Sequence, residues 1–281
     1  MSATSDRASD LRERFDHDGY VVLKGLLSPE EAAQYRDELK RLSGLTDADF
    51  PRFASSGGWA LNDGVTTLAV FWPVIFHRRL LDAVRAVVGP DARYTQHSDL
   101  LVHAGQPAWH RDSADRLFGR GPDWDESRAP YRVARVAIYL QSYEESRSAL
   151  GLIPGTHRRQ SFVNSAELAL WDKVNAWRKR RGKPTVLGRF LSMRPEWIKT
   201  DVGDCLIFNE RILHSASKID GPKYAIFLSY GADNEHSRRL RRFYMERPDT
   251  RYGDYPPDLA EKLKQDDLYL SLEAGERAAI S

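Results

Sequence analysis

Five short β-rich runs, separated by turn signals, occupy the chain from residue 94 onward and limit what it can fold into. They cover 94–103, 133–143, 151–154, 204–209 and 224–230, and are punctuated by Gly105-Gln106-Pro107, Pro154-Gly155, Val202-Gly203-Asp204 and Gly221-Pro222. Runs this short cannot stand alone and must pair across long stretches of chain. Ahead of them the texture is helical. Ser28-Pro29-Glu30-Glu31 offers a cap, a proline suited to the first helical position and the glutamate of a capping box, and Ala32, Ala33, Tyr35, Leu39 and Leu42 follow at helical spacing. Residues 20–25 read as a short strand after an Asp18-Gly19 turn, and a second helix is expected over 74–88, ending at Gly89-Pro90. Helices followed by strands predict a mainly β protein, a sandwich or barrel with helices packed outside it.

No internal repeat or long linker divides the 281 residues, so a single domain is expected: a helical flank over about 1–90, a β core over about 91–235 and an extension over about 236–281. A partly helical insertion at 165–194 carries the basic run Trp177-Arg178-Lys179-Arg180-Arg181-Gly182-Lys183-Pro184. This run and Arg238-Arg239-Leu240-Arg241-Arg242 are read first as solvated faces, the insertion also as a lid that helps hold an anionic substrate. The net charge of +2 argues against a polyanion-binding protein, so no nucleic-acid partner is expected. No stretch has the roughly 18 apolar residues of a membrane span, and the first residues lack the apolar core of a secretory signal. With one cysteine, Cys205, read as a buried small hydrophobe, the expected setting is cytoplasmic. Neither a Gly-x-Ser-x-Gly nucleophile turn nor a Walker-type lysine loop is present.

Two His-x-Asp pairs occur, His97-Ser98-Asp99 and His110-Arg111-Asp112, where 8 histidines and 40 acidic residues would give about one His-x-Asp/Glu by chance. Residues two apart on a strand project from one face. An imidazole and a carboxylate so placed can share a metal, and a second histidine from a distant strand completes the 2-His-1-carboxylate face that leaves positions open on non-haem Fe(II). His110 follows a turn, at a strand edge where open positions are reachable. His97 and Asp99 lie inside a β-run and read as a cross-strand polar pair. The third ligand is sought in His214, which lies 102 residues after Asp112, just past the end of the run Gly203-Asp204-Cys205-Leu206-Ile207-Phe208-Asn209. His157 is assigned to a turn, and His17, His77 and His236 to surface or packing.

Four motifs then occur in order: Phe15-x-x-Asp18-Gly19-Tyr20-Val21-Val22-Leu23, Trp109-His110-Arg111-Asp112, Leu152-Ile153-Pro154-Gly155-Thr156-His157 and Gly203-Asp204-x-x-x-Phe208-x-x-x-x-x-His214. Together they resemble the phytanoyl-CoA dioxygenase-like branch of the Fe(II)/2-oxoglutarate-dependent oxygenases, over about 15–235. The resemblance implies a double-stranded β-helix (jelly-roll, cupin-like) core, Fe(II) held by His110, Asp112 and His214, 2-oxoglutarate as co-substrate, O2 as oxidant, and a biosynthetic oxidation of a small molecule such as a secondary-metabolite or saccharide intermediate. The carboxylate at 112 favours hydroxylation or oxidative ring chemistry over halogenation, for which relatives vacate that position.

One departure matters. Where the family places an arginine after the distal histidine to fork onto 2-oxoglutarate, this chain has Gly221-Pro222-Lys223-Tyr224. Lys223 keeps the charge and loses the bidentate geometry. It is the expected anchor, with Arg211 and Arg135 as alternatives and another oxo-acid left open. Trp109 and Phe71-Trp72 are candidates to wall the site. A metal-dependent isomerase or hydrolase on the same scaffold, and a non-catalytic jelly-roll binding module, are the competing readings. Oligomeric state is not legible.

Overall fold

The computed structural model describes residues 3–53, 58–105, 107–250 and 252–272. Among the described residues ten strands follow one another: β1 Tyr20–Leu23, β2 Trp59–Asn62, β3 Ala92–Tyr94, β4 Asp99–Val102, β5 Val133–Tyr139, β6 Leu150–Leu152, β7 Glu196–Ile198, β8 Cys205–Asn209, β9 His214–Ala216 and β10 Tyr224–Ala232. They form two antiparallel sheets, a large one ordered β1-β8-β5-β10-β4-β2 with β3 also on β10, and a small one ordered β7-β6-β9. This is the jelly-roll core with flanking helices expected from the sequence.

Strand β5 explains the arrangement. It pairs with β8 on one side and β10 on the other, and every residue of Val133–Tyr139 is buried. Val136 and Ile138 face a core shared with Val21, Ile207, Ile226 and the helices. Ala137 and Tyr139, on the opposite face, pack with Leu150, Leu152, Leu206 and Phe208. A strand covered on both faces needs no polar alternation, and its residues are apolar apart from Arg135 and the hydroxyl of Tyr139. Each fully buried Val, Ile or Phe here contributes roughly 1.5–3 kcal/mol.

On the outer face lie helices Ala3–Asp18, Pro29–Ser43 and Arg78–Val87. Ser28 and Glu31 form the expected capping box, and Gly44 closes that helix in the left-handed conformation. Helix Ala3–Asp18 was not foreseen as an element, nor were the short strands β2, β7 and β9.

Two predicted elements are corrected. The helix over 74–88 is interrupted: Trp72–Ile75 and Arg78–Val87 are separate, with His77 extended between them. The Ile75 carbonyl, which would accept the next helical hydrogen bond, instead accepts from the Tyr230 hydroxyl at 2.7 Å. The β-run over 94–103 is likewise split. Gln96 sits at φ +70°, its side-chain amide donating to Asp63 at 2.9 Å and its carbonyl oxygen accepting from Arg241 at 3.0 Å. A buried amide demands these partners, and the backbone leaves the sheet to supply them. The turn signal at 105–107 includes Gln106, which lies outside the described residues, as do 273–281 of the expected extension.

The insertion contains helix Phe162–Arg180, none of whose residues is buried, and its basic end is solvated, with Arg181 over the Trp177 ring at 4.4 Å. The second basic run differs. It belongs to helix Glu235–Glu246, in which Leu240 and Tyr244 are buried and Arg241 lies over the Tyr255 ring at 3.8 Å. Arg241 is therefore a packing residue and not part of a solvated face. Among the described residues no helix is long and apolar enough to cross a membrane.

Candidate metal centre

His110 is positioned by an isolated antiparallel bridge to His214, the first residue of β9. Two residues on, the amide of Asp112 donates to the Glu210 carbonyl at 3.0 Å, and the Asp112 carbonyl accepts from the Tyr244 hydroxyl at 3.0 Å. The turn between β8 and β9 therefore holds both halves of the His-x-Asp pair while delivering His214 beside them. The three ligand-type atoms of His110, Asp112 and His214 lie within 4.8 Å of one another.

The tautomers follow from the hydrogen bonds. His110 Nδ1 donates to the Ala108 carbonyl at 2.7 Å, and His214 Nδ1 donates to the Ile212 carbonyl at 3.1 Å. Each ring in its neutral form then presents a bare Nε2, His110 at 3.7 Å from Asp112 Oδ1 and His214 at 3.4 Å from Oδ2. Burial, with the neighbouring His214, brings His110 down to about 4 and keeps it neutral. Burial works to raise the Asp112 carboxyl, but His214, His110 and Arg135 outweigh it and hold the group well below its ordinary range. Two imidazole lone pairs facing a carboxylate form a cluster of acceptors that a divalent cation satisfies, so the donor set fits Fe(II).

These residues open onto a cavity of about 470 Å³, which Lys223, Arg135, Tyr139, Phe227, His97 and Asp99 also line. Lys223 is 3% exposed, and no carboxylate among the described residues lies within ion-pair distance of it. Burial alone lowers its ammonium to about 8. The alternative cations are engaged: Arg211 pairs with Glu126 at 2.6 Å, and Arg135 pairs with Asp99 while donating to the His97 carbonyl at 2.7 Å.

His97 and Asp99 do not join the metal cluster. The His97 ring stacks on Tyr244 with centroids 3.6 Å apart, and its Nδ1 shares a hydrogen bond with Glu210 at 3.0 Å. Burial, reinforced by Arg135, keeps His97 neutral; burial, with Asp112 nearby, raises the Glu210 carboxyl well above its usual range. This buried Arg135–Asp99–His97–Glu210 array beside the site was not foreseen. Its signal was an arginine inside the apolar run of β5.

Trp109 packs against Phe190 and Trp197, and its indole donates to the Gly188 carbonyl at 3.2 Å, so the insertion rests on the residue preceding His110. Phe71 does not wall the site. It is fully buried against the helices, stacked on Tyr35, with Trp72 packed beside the same core. His157 is buried in its turn, and His236 is buried with Nε2 donating to the Ala129 carbonyl at 3.1 Å.

Two antiparallel sheets enclosing a pair of histidines and a carboxylate define a jelly-roll protein with a candidate site for one metal ion. The chain belongs to the phytanoyl-CoA dioxygenase (PhyH) family, whose model matches residues 15–225. It is 24% identical over 221 residues to "Dioxygenase ALT11" of Alternaria alternata, covering 72% of this chain and 63% of that protein. It is 27% identical over 161 residues to the ectoine dioxygenase of Stutzerimonas stutzeri (strain A1501), covering 54% of this chain and 51% of that one. The chain therefore spans between half and two thirds of the length of these two relatives. Among solved structures, that of the epimerase SnoN in complex with Fe3+, alpha ketoglutarate and nogalamycin RO superposes with a TM-score of 0.55 at 18% identity, covering 82% of this chain and 85% of SnoN.

Proposed function

We propose that this chain is a single-domain oxygenase, dependent on Fe(II) and 2-oxoglutarate, that oxidises a C–H bond of a small molecule. The observation that carries the reading is the pair of bare imidazole nitrogens, from His110 and His214, aimed at the Asp112 carboxylate on the wall of a cavity. When bound, Fe(II) with 2-oxoglutarate and O2 supplies the oxidising power, the co-substrate being converted to succinate and carbon dioxide. In this reading His110, Asp112 and His214 hold the metal through three atoms and leave the remaining positions to co-substrate and oxygen.

Lys223 anchors the far carboxylate of 2-oxoglutarate. It is a buried cation on the same cavity, without a carboxylate of its own. Tyr139, Leu150 and Phe227 exclude water from the space between, which strengthens that ion pair. Trp109 ties the insertion to the site, so closure of residues 165–194 over a bound substrate is coupled to the segment that carries His110. A relative named for ectoine, and a structural neighbour solved with nogalamycin RO, support a small-molecule metabolite as substrate.

Anaerobic addition of Fe(II) and 2-oxoglutarate tests the reading. A visible charge-transfer band is expected in the native protein and absent in Asp112→Ala. No band in the native protein, or one that survives Asp112→Ala, sinks the proposal.

A further inference from the structure

We propose that His103 is a positioning residue for the co-substrate anchor: its imidazole stands in for its own carbonyl in the sheet and fixes the backbone from which Lys223 enters the cavity. The inference rests on Lys223 being the residue that holds 2-oxoglutarate. His103 directly follows β4 and is 1% exposed. Strands β4 and β10 pair Val102 with Tyr224, so the next facing pair is His103 with Lys223. The His103 amide donates to the Lys223 carbonyl at 2.6 Å. In a regular antiparallel ladder such a pair exchanges two bonds, and the Lys223 amide would donate to the His103 carbonyl.

It does not. His103 lies at φ +56°, a conformation that costs a non-glycine residue about 1–3 kcal/mol. Its carbonyl lies against Gly58, where an added Cβ would come within 2.7 Å of the oxygen. The Lys223 amide donates instead to His103 Nδ1, at 3.2 Å. Burial lowers the imidazole from the ordinary histidine range and favours its neutral form. An accepting Nδ1 is bare, so the ring proton is on Nε2, which donates to the Thr46 carbonyl at 2.9 Å. Phe50 and Tyr224 lie edge-on to the ring, with centroids 5.7 and 5.2 Å away, and fix its rotation. Pro222, the next residue towards the turn, has no amide hydrogen to give. The strained histidine thus closes the ladder at the residue that carries the anchor, while the chain leaves β4 for the segment that leads to His110. Among the described residues no ion pair steadies the Lys223 ammonium, so its place on the cavity is inherited from this backbone.

Equilibrium dialysis of labelled 2-oxoglutarate against the metal-loaded protein is the test, with two variants. His103→Asn keeps an oxygen where Nδ1 accepts and tolerates a positive φ, so its dissociation constant should stay within about 3-fold of the native value. His103→Leu has no acceptor and should bind about 10-fold more weakly, part of what loss of the lysine contact costs. Fe(II) affinity, measured anaerobically, should be unchanged in both. In a Lys223→Gln background His103→Leu should weaken binding no further. A merely structural role would lower the thermal midpoint without this dependence on Lys223. Native-like affinity in His103→Leu, equal weakening in both variants, a parallel loss of Fe(II) affinity, or a loss that persists in the Lys223→Gln background overturns the proposal. Should the variants not fold, nitrogen-15 spectra of the native protein decide: His103 must carry its proton on Nε2 with Nδ1 bare, and the opposite tautomer refutes the exchange of acceptor. Native 2-oxoglutarate affinity in Lys223→Gln alone sinks the anchor assignment itself, whatever the His103 variants do.

Discussion

His110 and His214 are joined by reciprocal backbone hydrogen bonds, N–H to carbonyl in both directions at 3.0 Å, with their rings 4.2 Å apart between centroids. The bridge makes the distance between the two imidazoles a property of the backbone. Side-chain packing then has only to set ring rotation, which the Nδ1 bonds to Ala108 and Ile212 do. A pre-set pair of donors loses little freedom when it takes up a metal.

Removing the carboxylate should therefore disable the centre without unfolding the protein. Asp112→Ala leaves the backbone bridge intact and both imidazoles in place. Fe(II) affinity, measured anaerobically by calorimetry, is expected to fall by at least about 100-fold, the upper end of what even indirect partners of a metal cost. The thermal midpoint of the metal-free protein should change little.

Lys223 provides a test of co-substrate anchoring. A buried charge-assisted contact is worth about 1.5–3 kcal/mol, so Lys223→Gln should weaken 2-oxoglutarate binding roughly 10–100-fold. Equilibrium dialysis with labelled 2-oxoglutarate on the metal-loaded protein measures it. An unchanged dissociation constant would move the anchor elsewhere.

The same lysine predicts a pH dependence. Burial lowers its ammonium to about 8. Below that value the charge is present, and it is lost as pH rises through it, so kcat/KM for 2-oxoglutarate should decline above about pH 8. That parameter reports the free protein, before the bound anion stabilises the ammonium. Lys223→Arg, charged throughout the range, should flatten the profile if it folds with the longer side chain accommodated, as circular dichroism would verify.

Gly203 tests the turn that launches β8. It lies at φ +79°, and a Cβ there would come within 2.2 Å of the Leu27 carbonyl oxygen. The conformation alone costs a non-glycine residue about 1–3 kcal/mol, and the obstruction is backbone that cannot swing aside. Gly203→Ala should lower the unfolding free energy by at least that amount, read as a lower urea midpoint at an unchanged slope.

The capping box at Ser28, the apolar runs of β5, β8 and β10 and the pairing of His110 with Asp112 were all legible, because each depends on residues close in sequence. The interruption at His77 was not, since it depends on a hydroxyl from Tyr230. Nor was the departure of residues 95–98 from the sheet, which depends on Asp63 and Arg241. The burial of Arg241 inside a run that reads as a solvated face arose in the same way, from Tyr255 and Gln96 converging on it.

Sequence alone thus determined the β-rich core, the family motifs and which histidines and carboxylate were worth considering, because periodicity, turn chemistry and ligand type are local properties. Only the tertiary structure decided that His214 stands beside His110, that Lys223 is a buried cation on the cavity while Arg211 and Arg135 are engaged elsewhere, and that Asp99 pairs with Arg135. Those outcomes depend on which remote strands become neighbours, and strand pairing is settled by burial and hydrogen-bond satisfaction over the whole chain.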